Sequence, residues 1–256
     1  MATAPAERWF RRYRPAPDKA VQLLCLPHAG GSATFFHPLA RALASELDVI
    51  GVQYPGRQDR WGETPLDDLR TLADRVFEAL ATQPVRPLVI LGHSMGAVLG
   101  FEVARRVEAA RPGTLLGLIA SGRRSPTVHR DEDVHLRDNA GLLAEVRRLS
   151  GDELEVVADE DLLRMILPPL RADFCAVETY RLRPGDRLRA PITVLTGDRD
   201  PQVTLPEARA WAGLTDGGFA VRVFPGGHFY LQRQQEAVSA AVADSVAGFR
   251  RQVAVG

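Results

Sequence analysis

Leu88-Val-Ile-Leu-Gly-His-Ser-Met-Gly-Ala97 is the stretch from which the architecture follows. Leu88 to Leu91 is a short apolar, β-branched run, which predicts a buried strand. Two glycines, Gly92 and Gly96, break the run, and a mostly apolar helical pattern continues from Ala97 to about Val107. Gly92-x-Ser94-x-Gly96 falls at the turn between strand and helix, the order required of a nucleophile elbow that lifts a serine clear of a sheet. A turn this sharp leaves no room for side chains two positions either side of the serine. A helix starting just beyond Ser94 aims its free N–H groups and its dipole at any developing oxyanion. Such an elbow demands a base, an acid and a second oxyanion donor elsewhere in the chain.

The 256 residues suffice for one large α/β domain, with or without an inserted subdomain. Thirty-two basic residues balance 32 acidic ones, so no charge footprint for nucleic acid or an anionic membrane is visible. Lys19 is the sole lysine, which reads as coding bias in a GC-rich genome. Cys25 and Cys175 are expected as small core residues rather than a bridge. Nothing in the sequence suggests a metal or another cofactor. The N-terminus lacks the apolar core of a secretion signal, and no apolar run of the roughly 18 residues needed to span a membrane occurs. A cytoplasmic, reducing setting is the expectation.

Working outward from the elbow, Val21 to Leu26 and Asp48 to Tyr54 predict two earlier strands, and Leu115 to Ala120 a following one. A helical pattern is read through Leu39, Leu43 and Leu47, another from about Leu66 to Thr82. Continuous apolar strands alternating with helices imply a parallel sheet covered on both faces. From about Thr127 to Leu188 no strand is expected. Apolar stripes there include Leu142, Leu143, Val146 and Leu149, then Leu162, Leu163, Ile166 and Leu167 before Pro168-Pro169, then Phe174, Val177 and Tyr180. Either a lid or plain helical covering would fit; the place in the chain order favours a lid. Strands resume at Ile192 to Thr196 and Ala220 to Phe224, with helices near Pro206 to Trp211 and from Gln234 to about Arg251. The expected organisation is a hydrolase core of residues 1–126 and 189–256 with a lid of 127–188. Residues 1 to about 20 read as a tail that packs Trp9, Phe10 and Tyr13 on the domain, rather than as a nucleic-acid-binding arm.

Catalytic groups of open α/β sheets gather at the carboxyl ends of strands. Ser94, Asp200 and His228 stand there in the chain order of α/β hydrolases. A serine hydroxyl needs an imidazole to take its proton, and the imidazole needs a carboxylate to hold its tautomer. Of the six histidines, His228 alone follows a late strand. His37 belongs to an early helix, His129 and His135 to the lid, and His93 should point away from Ser94. Asp200 lies further along its loop than Asp198 and is expected to reach His228, leaving Asp198 to brace the loop. The glycine-rich turn Pro27-His-Ala-Gly-Gly-Ser-Ala33 follows an early strand, where the second oxyanion N–H arises in this architecture. Ala29 is the candidate donor beside Met95, the competing reading being a simple turn. His28 is expected to serve a structural hydrogen bond.

Six segments together resemble the type II thioesterases, free-standing editing enzymes that accompany modular polyketide and nonribosomal peptide synthases. They are Leu26-Pro-His-Ala-Gly-Gly, Gln53-Tyr-Pro-Gly-Arg57, Gly92-His-Ser-Met-Gly-Ala97, Ser121-Gly, Leu167-Pro-Pro-Leu-Arg-Ala-Asp-Phe174 and Gly226-Gly-His-Phe229. The resemblance runs from about residue 21 to 230, and Tyr54 stands where many relatives carry leucine. It implies an α/β-hydrolase fold, a mostly parallel central sheet flanked by helices with an inserted helical lid. It further implies hydrolysis of aberrant or stalled acyl groups from the phosphopantetheine arm of acyl carrier domains. The residues alone reach a serine hydrolase with a lid, which an esterase, lipase or peptidase would equally satisfy. A binding module that has lost catalysis is opposed by the complete triad, and a dehalogenase by serine rather than aspartate at the elbow.

Overall fold

The computed structural model describes residues 5–14, 21–150 and 160–255. Seven strands form one sheet: β1 (Phe10–Arg12), β2 (Val21–Leu26), β3 (Leu47–Val52), β4 (Leu88–His93), β5 (Leu115–Ser121), β6 (Ile192–Gly197) and β7 (Phe219–Phe224). Their order across the sheet is β1-β3-β2-β4-β5-β6-β7. β2 through β7 are parallel, and β1 adds an antiparallel edge, Phe10 opposite Val52.

β2 through β6 are buried on both faces, so they read as continuous apolar runs, whereas β7 at the edge buries only Phe224. Alternation still sorts them. Leu24, Leu26, Ile90 and Leu118 point to one layer, with α3 (Leu69–Ala81) and α4 (Met95–Ala110). Leu23, Cys25, Leu91 and Ile119 point to the other, with α2 (His37–Ala42) and α9 (Gln235–Val255). Side chains two apart in a strand share a face, which produces this division. α3 begins where the Asp68 carboxylate accepts the Thr71 N–H at 2.7 Å, a side-chain N-cap. At Gly117 a Cβ would lie 2.4 Å from the Phe249 ring, so this glycine lets α9 press onto β5.

A third apolar cluster sits over the carboxyl ends of the strands. Leu142 of α5 (Asn139–Ser150) meets Leu167, Leu170 and Phe174 of α6 (Glu160–Thr179), with Val134 beneath. Residues 151–159 of the expected lid, residues 1–4 and 15–20 of the expected tail, and the side chain of Leu162 lie outside the described residues.

The structure refines the reading of the sequence at four places. The tail does pack its aromatics, Phe10 being buried and the Arg60 guanidinium lying 4.2 Å from the centre of the Trp9 ring, but it also supplies strand β1. Leu47 opens β3 instead of closing a helix, because α2 ends at Ala42. The prolines do not end a helix: Pro168 and Pro169 lie inside α6. Each removes a backbone donor, a loss of about 3 kcal/mol in an isolated helix, yet Leu163, Leu170, Phe174 and Val177 keep one stripe of contacts across the break. Cys175 is half-buried on α6, whereas Cys25 is fully buried; both are free thiols. Among the described residues no helix is long and apolar enough to cross a membrane.

Candidate active site

β4 delivers Ser94 at a point of backbone strain, φ 56° and ψ −119°. The flanking glycines are required sterically. A Cβ on Gly92 would fall 1.8 Å from the Gly96 carbonyl oxygen, and one on Gly96 would fall 2.1 Å from that of Leu26. The Ser94 N–H donates to the Ser121 carbonyl at 2.8 Å, tying the elbow to the end of β5. α4 starts at Met95, whose N–H therefore has no partner within the helix.

The acid and the base arrive on neighbouring loops, after β6 and β7. These loops touch backbone to backbone: a Cβ on Gly197 would lie 2.5 Å from the carbonyl oxygens of Gly226 and Gly227. The Asp198 carboxylate accepts the Gly226 N–H at 2.8 Å, so it braces the loop that carries the histidine. Asp200 Oδ1 and Oδ2 lie 3.0 and 2.9 Å from His228 Nδ1. His228 Nε2 lies 3.0 Å from Ser94 Oγ. A carboxylate can only accept here, so Nδ1 carries the proton and Nε2 presents its lone pair to the serine hydroxyl. Both side chains of the acid–base pair are almost fully buried, at 0% and 1% exposure.

Two more imidazoles stand close by. His93 Nδ1 lies 3.0 Å from Ser121 Oγ, which in turn lies 2.7 Å from the Tyr230 hydroxyl, and the His93 ring centre is 5.1 Å from that of His228. Gly122 makes room for it, since a Cβ there would meet the His93 ring at 2.6 Å. Burial, then the neighbouring His228, holds His93 well below the usual histidine pKa. Burial, then His228 and the Arg57 guanidinium, push His28 down to about 3. Both stay neutral, so a positive charge on His228 has no permanent cation among these imidazoles to oppose it. The structural hydrogen bond expected of His28 is not made: its Nδ1 has no partner among the described residues, and its ring packs edge-on against Phe35 and Phe229 at 4.6 and 4.8 Å. Apolar ring contacts, rather than a polar one, fix its position.

Before α2, the His28–Gly31 segment closes a tight turn, the Gly31 N–H donating to the His28 carbonyl at 2.9 Å. Gly30 takes φ +74° at the third position of that turn, as a type II turn requires. Ala29, Ser94, Met95 and His228 all border one pocket of about 250 Å³. Its walls come from α5 (Val146, Leu149) and α6 (Leu163, Ile166, Leu170, Phe174). All five residues singled out from the sequence thus share one site. Arg123 and Gln202 are among the polar lining residues that sequence reasoning did not single out. The Gln202 N–H donates to Asp200 Oδ1 at 2.8 Å, and its side-chain amide reaches Glu145 of α5 at 3.1 Å. Burial and the adjacent Arg124 lower Arg123 to about 10, which leaves it charged at neutral pH. The only signal for them was closeness in the chain, Gln202 to Asp200 and Arg123 to Ser121-Gly122.

A serine, imidazole and carboxylate in this arrangement, beneath an apolar pocket, are equipped for acyl transfer through a covalent intermediate. The family model described as a thioesterase domain matches residues 21–246. The chain is 50% identical over 243 residues to the probable cadicidin biosynthesis thioesterase of Streptomyces griseus, a match covering 94% of this chain and 66% of that protein. It is 44% identical over 239 residues to Thioesterase PikA5 of Streptomyces venezuelae, covering 92% and 84% of the two chains. Among solved structures, the type II thioesterase BorB from the borrelidin biosynthetic cluster superposes with a TM-score of 0.86 at 52% identity, over 93% of this chain and 97% of that one.

Proposed function

This chain belongs to the thioesterase family, and from that premise we propose that it hydrolyses acyl thioesters on the phosphopantetheine arm of acyl carrier domains, clearing aberrant or stalled acyl groups from a polyketide or nonribosomal peptide synthase. The observation that carries the reading is the relay from Ser94 Oγ to His228 Nε2 at 3.0 Å and from His228 Nδ1 to Asp200 at 2.9 Å, set beneath a pocket open to an acyl chain.

In this mechanism Ser94 Oγ attacks the thioester carbonyl carbon as its proton passes to His228 Nε2. Asp200 stabilises the resulting imidazolium, and the N–H groups of Ala29 and Met95 receive the oxyanion. The tetrahedral intermediate expels the pantetheine sulfur, which takes the proton from His228. Water then attacks acyl-Ser94 with His228 again as base, giving a free carboxylic acid and restoring Ser94. The net reaction consumes one thioester and one water and returns an acid and a thiol. It needs no metal or other cofactor.

Residues 127–188 serve as the lid and residues 1–126 with 189–256 as the hydrolase core; the pocket walls contributed by α5 and α6 support that division. At about 250 Å³ the pocket is small among ligand sites, which favours short acyl groups. Within a bacterial synthase the enzyme would work in the cytoplasm. The test is hydrolysis of matched short acyl groups presented on a carrier domain, on a truncated pantetheine thiol and as oxygen esters. We expect the carrier-bound thioester to show the highest kcat/KM, because remote binding helps align the carbonyl. We also expect Ser94→Ala to retain no more than a residual rate about 10³ to 10⁴ above water. Equal kcat/KM for carrier-bound and free thioesters removes the carrier, and faster ester hydrolysis removes the thioester.

A further inference from the structure

Two of the segments singled out in the sequence, Gln53-Tyr-Pro-Gly-Arg57 and Leu167-Pro-Pro-Leu-Arg-Ala-Asp-Phe174, contribute nothing to the relay of Ser94, His228 and Asp200. Their charged residues nevertheless meet. Arg57 and Asp173 are 116 positions apart and form a two-pronged pair, Nη1 to Oδ2 at 2.6 Å and Nη2 to Oδ1 at 3.0 Å. The pair is buried, the side chains 7% and 1% exposed. Asp173 Oδ2 also accepts the Gly30 N–H at 2.7 Å, and Arg57 Nη1 donates to the Gly31 carbonyl at 3.3 Å.

Those contacts fall on the turn that carries Ala29. The neighbouring backbone is held by two more residues of the first of these segments. The Tyr54 hydroxyl donates to the Pro27 carbonyl at 3.1 Å, and the Ala33 N–H donates to Gln53 Oε1 at 3.0 Å. Residues 27, 30, 31 and 33 are therefore each held by a side chain from after β3 or from α6. Among the described residues the Ala29 N–H makes no hydrogen bond, and Ala29 borders the pocket beside Ser94. The Gly30 N–H belongs to the peptide that separates a type I from a type II turn. A carboxylate on it holds that peptide in the orientation seen with φ +74° at Gly30.

We propose that Asp173, with Arg57 as its counter-charge, is a positioning residue for the oxyanion turn: it accepts the Gly30 N–H and so keeps the Ala29 N–H aimed at the carbonyl oxygen of the substrate. The pair also makes α6 part of the turn's support at this end. Leu170 approaches so closely that a Cβ on Gly30 would lie 2.7 Å from its Cδ1. The proposal rests on the reading of Ala29 as an oxyanion donor beside the Ser94 nucleophile, which the proposed function shares.

Removing Asp173 alone would strand a buried guanidinium and endanger the fold. The test therefore uses the uncharged pairs R57M/D173L, which lacks an acceptor for Gly30, and R57M/D173N, which restores an oxygen there. Two readouts separate positioning from stability. One is steady-state hydrolysis of propionyl-N-acetylcysteamine. The other is inhibition by a matching alkyl trifluoromethyl ketone: Ser94 Oγ adds to the ketone carbon, the hydroxyl proton passes to His228, and the ketone oxygen becomes the anion the turn must hold. Misplacement of a catalytic donor by about 1 Å costs on the order of 10² in rate. For R57M/D173L we expect kcat to fall and the ketone Ki to rise by about that factor, with KM moving no more than about threefold, and R57M/D173N should recover at least about tenfold of both. A folded R57M/D173L with wild-type kcat and Ki overturns the proposal, as does a loss confined to KM or one that R57M/D173N shares in full. If R57M/D173L does not fold, amide exchange of Gly30 in the wild type and in R57M/D173N decides: protection in both supports the contact, and exchange at the rate of an unstructured glycine in either overturns it. The ketone readout needs no turnover, so a wild type that binds the ketone but hydrolyses no thioester would refute the thioesterase reading and leave this one standing.

Discussion

Asp200→Asn should cost on the order of 10⁴ in kcat, about 5.4 kcal/mol of transition-state stabilisation, while leaving the fold in place. The magnitude follows from the contacts of this carboxylate. Asp200 Oδ1 accepts the Gln202 N–H at 2.8 Å, so an asparagine is held with its oxygen at that position. Its amide NH2 then occupies the place of Oδ2, 2.9 Å from His228 Nδ1. A donor there demands the Nδ1 lone pair and drives the proton to Nε2. Nε2 would then donate toward Ser94 Oγ, 3.0 Å away, instead of accepting from it. The hydroxyl loses its base although every atom is close to its original place. Asp198→Asn supplies the control. Its side-chain oxygen can still accept the Gly226 N–H, and the ion pair it loses with Arg199 is solvent-exposed and worth at most about 1 kcal/mol. Release of thiol from a short acyl thioester, followed colorimetrically beside a thermal melt of each variant, measures both effects. The reasoning is refuted if Asp198→Asn is the slower enzyme, or if Asp200→Asn retains more than about a tenth of the wild-type kcat.

Two further outcomes are expected. Ile166→Ala opens the pocket wall and should move the preferred acyl group toward longer chains, each added methylene gaining about 0.8 kcal/mol, or roughly fourfold in kcat/KM; an unchanged chain-length profile with a lower Tm would place Ile166 in the packing instead. Folding holds His28 and His93 neutral, with pKa values below the ordinary 6.5. Below pH 6.5 the unfolded chain therefore binds more protons than the folded one. Stability from these groups is complete above that pH and falls as the pH drops toward 3, by up to about 1.4 kcal/mol per pH unit for each imidazole. Urea midpoints between pH 7 and 4 should fall more steeply for the wild type than for His93→Gln; equal slopes would refute the assignment.

Local chemistry made much of the site legible before any coordinates. Gly92 and Gly96 are written beside Ser94 because the collisions they avoid, with the Gly96 and Leu26 carbonyls, are set by the backbone of a strand-turn-helix unit. The apolar runs of β2 through β6 announce a two-sided parallel sheet for the same reason: burial on both faces leaves no polar alternation. His228 and Asp200 could be chosen because strand ends and chain order are one-dimensional properties. The ranking of Asp200 above Asp198 followed from reach along one loop.

Other features depend on what meets across the fold, which no window of sequence contains. β1 is three residues long and polar at two of them; it is a strand because Val52 and its neighbours offer an open edge. α6 runs through Pro168 and Pro169 because a stripe of buried side chains outweighs two lost backbone donors, and propensity alone reads the opposite. Leu47 suits a helix by spacing and a strand by pairing, and the pairing with Val21 prevailed. His28 looked like a hydrogen-bonding residue until Phe35 and Phe229 closed on its ring. Arg57 and Asp173 were visible as charged residues in two separate segments, but only the tertiary fold brings them together beneath the Gly30 N–H. The sequence by itself determined the elbow, the sheet and the order of the triad, since those rest on interactions between near neighbours and on burial. The tertiary structure alone decided the edge strand, the continuous helix over the pocket and the charged support of the turn, since each balances a local cost against contacts made by distant parts of the chain.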